Sequence, residues 1–407
     1  MYYVKEVIKN MKLTLKYKIN LTKEQEDVLR DLCFYATKLY NTDNYMRRDE
    51  WEKTGKIPSW YDQKKALINN HWKNMLPSQT AQAVIKTLQD NYVLWFKLRK
   101  TDKDAKPPRF RSKNMLSPLT FYQQFKIDGD IITLTMSRKY RKEKGIDKLI
   151  LRISKWRDIN GTPIMCNILH NGKHWMAHVV YEISEAKIKQ SPEIMAVDIG
   201  IKNLAAIVDT CKNTYLFSGG TALEVQHYFN KEIAKAQSKT DKQKLKSKKV
   251  TNMHKKKSKQ INQIIHTTTK RIIEIAENNN IGTIIAGDIK NIRKDKKWNK
   301  NASQKLHSWG FAKLTKQIEY KAKLSGIRFE MVNEKDTSKT CSVCGTIKKS
   351  NRKHRGLYKC KCGNVMNADI NGAANILKKY LQENNISRSI GNVAMPVVYK
   401  NYNVIPV

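Results

Sequence analysis

The chain has 407 residues, 40% of them hydrophobic, which is enough apolar material for two or three domains with a core each. Its 78 Lys and Arg against 36 Asp and Glu leave a formal charge of +42, which excludes an ordinary enzyme of small neutral molecules and points to a polyanionic partner, nucleic acid first. A membrane surface is the competing polyanion, but no apolar run approaches the ~20 residues of a span and no secretory signal opens the chain, so the expected location is the cytoplasm.

Met11–Asn20 (MKLTLKYKIN) alternates apolar and polar side chains and predicts a half-exposed strand. Thr22, with Gln25 three residues on, predicts a capping box; Val28, Leu29, Leu32, Tyr35, Ala36 and Leu39 then follow one helical face. A helical block continues to about Lys100. Within it Ser78 is the expected N-cap, and Ala81, Ile85, Leu88, Tyr92 and Trp95 form a packing stripe, with stacking on bases the lesser alternative. Lys103–Lys113 (KDAKPPRFRSK) reads as a nucleic-acid contact: Pro107 and Pro108 stiffen it, and Arg109 and Arg111 flank Phe110 so that in an extended chain both guanidinium groups leave one side. A solvated linker is the plain alternative. From Phe121 to about Glu182 the pattern turns to strands, with an Asp128-Gly129 turn, and predicts a small antiparallel barrel with the helical block inserted after its first strand.

Ile194–Val208 (IMAVDIGIKNLAAIV) reads as a buried strand, a glycine turn and a second strand. Asp198 interrupts the apolar run, and a carboxylate there is costly unless it is paired, hydrogen-bonded or metal-bound. Tyr228 to about Asn278 is helical and very basic; Lys242, Lys244, Lys246, Lys248, Lys249, Lys255, Lys256, Lys257 and Lys259 precede an apolar face and suit a phosphate backbone, a solvated hairpin being the alternative. Thr283–Asn291 opens as a strand, Trp309–Gly326 is an amphipathic helix stopped by Gly326, with Lys321 and Lys323 as candidate nucleic-acid contacts, and Arg328–Val332 is a further strand just ahead of Glu334.

Four of the seven cysteines then gather in one stretch: Cys341 and Cys344 as C-x-x-C, Cys360 and Cys362 as C-x-C, each pair followed by a glycine, Gly345 and Gly363. Four thiolates at this spacing predict one structural zinc, and glycine permits the positive φ that lets the backbone fold back under the metal. Cys33, Cys166 and Cys211 are scattered and carry no assigned role. Asp369 opens the helical run NADINGAANIL, whose Ala373, Ala374, Ile376 and Leu377 form a packing face; taken alone it reads as an N-cap. No chemistry is read from the tail beyond Tyr380.

Asp198 in VDIGIKNLAAI, the cysteine ribbon and Asp369 in NADINGAANI, in that order, resemble the TnpB family, the RNA-guided nucleases encoded by insertion sequences, whose plan is similar to that of compact type V CRISPR effectors. The opening NLTKEQ and the PRF segment are similar to that family as well. The resemblance implies an α+β multidomain protein: a wedge-like β-barrel (1–20 and 115–190), an inserted helical recognition domain (21–114), a RuvC-like, ribonuclease-H-like α/β nuclease domain (191–335 and 366–380), an inserted zinc ribbon (336–365) and a tail (381–407). It further implies a guide RNA and a double-stranded DNA target as partners, a monomer or homodimer in a prokaryotic cell beside the nucleoid, and Mg²⁺ as catalytic metal, with Asp198 bridging two ions. In one place the pattern departs: the strand position where the family carries a second acid is Gly287. Three readings follow: adjacent Asp288 substitutes, although alternation turns it to the other face; Glu334 supplies the carboxylate; or the site is inactive and the protein a guided repressor. The catalytic set taken is Asp198, Glu334 and Asp369. A conventional transposase needing no RNA is the other alternative.

Overall fold

In the computed structural model, residues 10–238, 247–288, 310–354, 356–388, 390, 393, 395–400 and 403–405 are described. The chain divides into two compact units, Met1–Ser184 and Glu185–Val407.

The first unit contains β1 (Asn10–Asn20), α1 (Lys23–Thr54), α2 (Trp60–Ala66), α3 (His71–Met75), α4 (Ser78–Arg99), β2 (Leu119–Phe121), β3 (Phe125–Asp128), β4 (Ile131–Thr135), α5 (Arg138–Lys144), β5 (Lys148–Ser154), β6 (Thr162–His170) and β7 (Trp175–Ser184). Alternation in β1 buries Tyr17 and Ile19 and leaves Lys12, Lys16 and Lys18 outside. The strands form one antiparallel sheet in the order β2-β6-β7-β1-β5-β4-β3. The two edge strands, β2 and β3, are separated by only three residues, 122–124. Such a connection reaches about 14 Å, whereas the edges of a flat seven-stranded sheet lie about 29 Å apart, so the sheet must curl. Among the described residues β2 and β3 do not pair with each other; the expected closed barrel is therefore an open, curled sheet.

The capping box at the start of α1 forms as the sequence predicts, with Gln25 N donating to Thr22 Oγ1 at 3.2 Å and Thr22 N donating to Gln25 Oε1 at 2.9 Å. The start of α4 differs: Pro77 stands at the N-cap without a side-chain bond and Ser78 is already helical. The α4 stripe is core, with Ala81, Ile85, Leu88, Tyr92 and Trp95 all buried.

The second unit contains β8 (Ile194–Asp198), β9 (Asn203–Asp209), β10 (Thr214–Ser218), α6 (Gly220–Ser238), α7 (Lys248–Asn278), β11 (Thr283–Gly287), α8 (Phe311–Leu324), β12 (Arg328–Val332), β13 (Arg352–His354), β14 (Leu357–Lys359), β15 (Val365–Met366), α9 (Ala368–Glu383), β16 (Val397–Lys400) and β17 (Asn403–Ile405). Its large sheet runs β12-β11-β8-β9-β10-β16-β17. β8, β9 and β10 are an antiparallel meander, and β11 and β12 add to β8 in parallel. Alternation sends Met195 and Val197 to the face covered by α7 and α8, and Ile194 and Ala196 to the face covered by α9. The tail is not featureless: Val397–Lys400, a β-branched and aromatic run, pairs in parallel with β10, and Tyr399 stacks on Phe217 at 4.7 Å. Among the described residues no helix is long and apolar enough to cross a membrane.

Candidate active site and metal centre

Asp198 closes β8, an interior strand of the large sheet. By strand parity with Ile194 and Ala196 it points toward α9, where Gly372 makes room for it: a Cβ on Gly372 would stand 2.5 Å from Asp198 Oδ2. Loss of solvent around the carboxyl pushes it well above the usual carboxylate range; the negative charges of Glu334 and Asp369 push the same way, and Arg352 offsets them in part.

Those interactions place the carboxylates of Glu334 and Asp369 near Asp198. β11 runs parallel to β8 with Ala286 opposite Val197, so Gly287 comes beside Asp198 and, like Ile285, faces α9. Asp288 N donates to Val332 O at 2.7 Å, which continues the β11–β12 ladder by one residue, and alternation therefore turns the Asp288 side chain to the opposite face. Glu334 follows β12 by two residues and folds its side chain over Gly287, so closely that a Cβ there would overlap Glu334 Oε1, Cδ and Cγ. The bare glycine leaves the space that the Glu334 side chain fills.

Asp369 lies in the first turn of α9 but does not cap it. Asn367 does so, its Oδ1 accepting from Asp369 N at 2.9 Å and from Ile370 N at 3.4 Å. The Asp369 carboxylate is thus released to accept from Asn203 Nδ2 at 2.8 Å and Arg352 Nη2 at 2.9 Å. Further along α9, Asn371 and Asn375 hold the segment that follows Glu334. Asn371 accepts from Ser342 N at 2.9 Å and donates to Thr340 O at 2.8 Å; Asn375 donates to Thr337 O at 2.8 Å and Thr340 O at 2.7 Å. Thr337 Oγ1 donates in turn to Glu334 O at 3.0 Å. The helix that carries Asp369 therefore fixes the turn that carries Glu334.

The four thiols form a second centre. The Sγ atoms of Cys341, Cys344, Cys360 and Cys362 all lie within 4.8 Å of one another, with Cys341 to Cys362 at 3.7 Å and Cys344 to Cys360 at 3.6 Å. The edge of a tetrahedron of sulfurs about zinc is about 3.8 Å, so the donor set fits one such ion. Gly345 and Gly363 take φ of +75° and +89°, the turns expected beneath it. Asn364 Nδ2 points at Cys341 Sγ from 3.4 Å and Asn351 Nδ2 at Cys360 Sγ from 3.5 Å, donors suited to thiolates. Away from this centre, burial pushes the Cys33 and Cys166 thiols up to about 12, in keeping with inert core positions.

In the first unit Arg109 and Phe110 are exposed, Phe110 by 47%, and the Arg48 guanidinium lies over the Phe110 ring at 4.6 Å. Arg111 departs from expectation. Its guanidinium turns inward onto the Tyr40 ring at 3.7 Å and donates to Ser117 Oγ at 2.9 Å, while Asn41 bonds both its backbone N and O. An extended chain alone would have sent both arginines outward; the Tyr40 ring supplies the stronger site for one of them. Lys248, Lys249, Lys255, Lys256 and Lys259 are exposed along α7, and Lys257 donates to Asn230 at 2.7 Å. Lys242, Lys244, Lys246 and Trp309 lie outside the described residues. Lys321 clamps α8 to α7 through His266 O at 2.7 Å and Thr269 Oγ1 at 2.6 Å, and Lys323 pairs with Glu319.

Sequence reasoning missed Asn203, Arg352, Gly372 and the pair Asn371 and Asn375. Two asparagines four residues apart inside an alanine-rich packing face were a usable signal, because buried amides need backbone partners. Arg352 offered none, being one cation among many in a basic insert.

Residues 178–293 match the family described as "Probable transposase", and residues 311–376 match the family described as Cas12f1-like, TNB domain. Over 87% of its length the chain is 26% identical to the TnpB-like protein ORF457 of Acidianus two-tailed virus, spanning 84% of that protein. The chain is thus similar to TnpB proteins over most of its length. Across 106 residues, 26% of this chain and 24% of the relative, it is 37% identical to the CRISPR-associated endodeoxyribonuclease Cas12f1 of Sulfoacidibacillus thermotolerans. A solved Cas12f1 in complex with sgRNA and target DNA shares its fold at a TM-score of 0.64 and 17% identity, covering 90% of this chain and 98% of that one.

Proposed function

We propose that this TnpB-like protein is an RNA-guided DNA endonuclease that hydrolyses DNA phosphodiesters at a carboxylate site formed by Asp198, Glu334 and Asp369. The observation that carries the reading is the folding of Glu334 over Gly287 beside Asp198, which brings a carboxylate to the strand position where the family pattern has an acid and this chain has glycine. An all-oxygen donor set suits a hard divalent cation, Mg²⁺ above all, and such an ion would supply activation of water and neutralisation of charge at the phosphoryl group. The chain's own residues prepare that site. Burial and neighbouring acids raise the energy of ionised Asp198, so it favours a cation over solvent; Asn203 orients Asp369; Asn371 and Asn375 hold the Glu334 turn.

An antiparallel meander extended by two parallel strands, with helices on both faces, supports a ribonuclease-H-like, RuvC-type core over 191–335 and 366–380. The four cysteines would hold a structural zinc within 336–365. The curled sheet, 1–20 and 115–190, and the helices of 21–114 would carry guide RNA and the paired DNA, with Arg109, Phe110 and the exposed α7 lysines touching backbone or bases. Sequence choice is then delegated to base pairing with the guide and to a short flanking DNA motif. The test is to express the chain with its own flanking DNA, sequence the RNA that purifies with it, and assay cleavage of a matched plasmid in Mg²⁺. Cleavage by the wild type and none by Asp198→Asn is the expected result; matched binding without cutting by the wild type would replace this reading with a guided repressor, and purification without RNA would favour a conventional transposase.

A further inference from the structure

Asp369 is held by two donors of different kinds. Asn203, neutral, comes from the hairpin that follows Asp198, while Arg352, charged, reaches in as the first residue of β13 from the cysteine ribbon. An ionised carboxylate offers about four lone-pair positions. A divalent cation on that carboxylate tolerates the amide but repels a guanidinium bonded to the same group, and in a part-buried site this repulsion is poorly screened. Arg352 has room to leave: its side chain is 34% exposed, its strand is three residues long, and the β13–β14 register is irregular between Arg352 and His354.

Resting on the carboxylate site proposed above, we infer that Arg352 is a resident counter-ion of Asp369 in the metal-free chain, that a divalent cation displaces it on loading, and that the position of the β13–β14 hairpin follows the metal occupancy of the acids. Arg352 is a positioning residue, acting through Asp369. Lys202 provides an internal comparison. Its Nζ borders the same hairpin, 3.8 Å from where a Gly356 Cβ would stand, but it forms no ion pair among the described residues.

The experiment is a manganese titration of the full-length, zinc-loaded chain, read by the electron paramagnetic resonance of free Mn²⁺ and counting only the binding lost in Asp198→Asn. Arg352→Ala is expected to bind that manganese about three- to tenfold more tightly, the range in which a part-exposed ion pair opposes loading. Arg352→Lys, which keeps the charge and the fold, stays within about twofold of wild type, and so does Lys202→Ala. Equal tightening by Lys202→Ala and Arg352→Ala would reduce the effect to general charge and overturn the inference, as would unchanged or weaker binding by Arg352→Ala. Amide exchange of residues 352–354 rises on manganese addition in the wild type and not in Asp198→Asn; no rise in the wild type also overturns it. If wild type and Asp198→Asn bind manganese alike, the carboxylate reading itself fails and this inference with it.

Discussion

Gly287→Ala probes the placement of Glu334 with a single methyl group. Gly287 is not one of the glycines at positive φ, so alanine suits its backbone and would by itself stabilise the strand by about 0.5–1 kcal/mol. The added Cβ, however, falls within the Glu334 side chain. Crowding of that kind costs about 1–3 kcal/mol if the carboxylate stays, and less if it swings away. Net stability therefore moves by no more than about 2.5 kcal/mol. Cleavage should move far more: removing one preorganised charged group costs about 10²–10³ in rate, about 2.7–4 kcal/mol of barrier. Single-turnover cleavage of a guide-matched plasmid, beside a thermal melt, separates the two effects. In a Glu334→Ala background the methyl has space, so Gly287→Ala should add no further loss, a strong coupling for residues in contact. Wild-type cleavage by Gly287→Ala, or losses that simply add in the double variant, would refute the placement.

Three further outcomes follow from the same structure. Burial, with Arg47 only partly offsetting it, pushes the Asp43 carboxyl up to about 6, above an unfolded value near 4; the folded first unit holds that proton longer, so this group's contribution to stability is fully present below the unfolded value and is lost, by on the order of 3 kcal/mol, as pH rises from about 4 through 6. Urea melts followed by tryptophan fluorescence should show this slope, and Asp43→Asn should flatten it; a slope that persists in the variant contradicts the assignment. Metal analysis should find one zinc per chain, with Cys360→Ser well below that and slower to cleave, because the ribbon's grip on the Glu334 turn loosens; full zinc content in the variant would refute the four-thiol site. Phe110→Ala should weaken RNA retention by about 1–3 kcal/mol, whereas Arg111→Ala should lower the melting point of the first unit instead, and the reverse pattern would show the inward arginine to be misread.

Much of the site is legible from residue order. Asp198 stands out because a carboxylate ends an apolar strand, and the ribbon because four cysteines and two glycines share a spacing. Glu334 is one of three readings that the sequence leaves open once the resemblance asks for a second acid, favoured because alternation turns Asp288 away and no packing role explains a glutamate there. What stays hidden is set by long-range contact. Arg352 reaches Asp369 across 17 residues and Asn203 reaches it across 166, pairings that no local pattern encodes. The same limit explains Arg111, whose direction is decided by Tyr40, and the open sheet, whose curl shows only once its edge strands are known. The parallel strand Val397–Lys400 was too short to read against its polar surroundings.

The most direct test of the central claim is cleavage of a guide-matched plasmid in Mg²⁺ by the chain with its bound RNA, wild type beside Glu334→Gln and Asp288→Asn. The account predicts cutting by wild type and Asp288→Asn and loss in Glu334→Gln, with target binding kept in all three. Cutting that survives in Glu334→Gln and is lost in Asp288→Asn would move the second acid back to the strand and contradict the site described above.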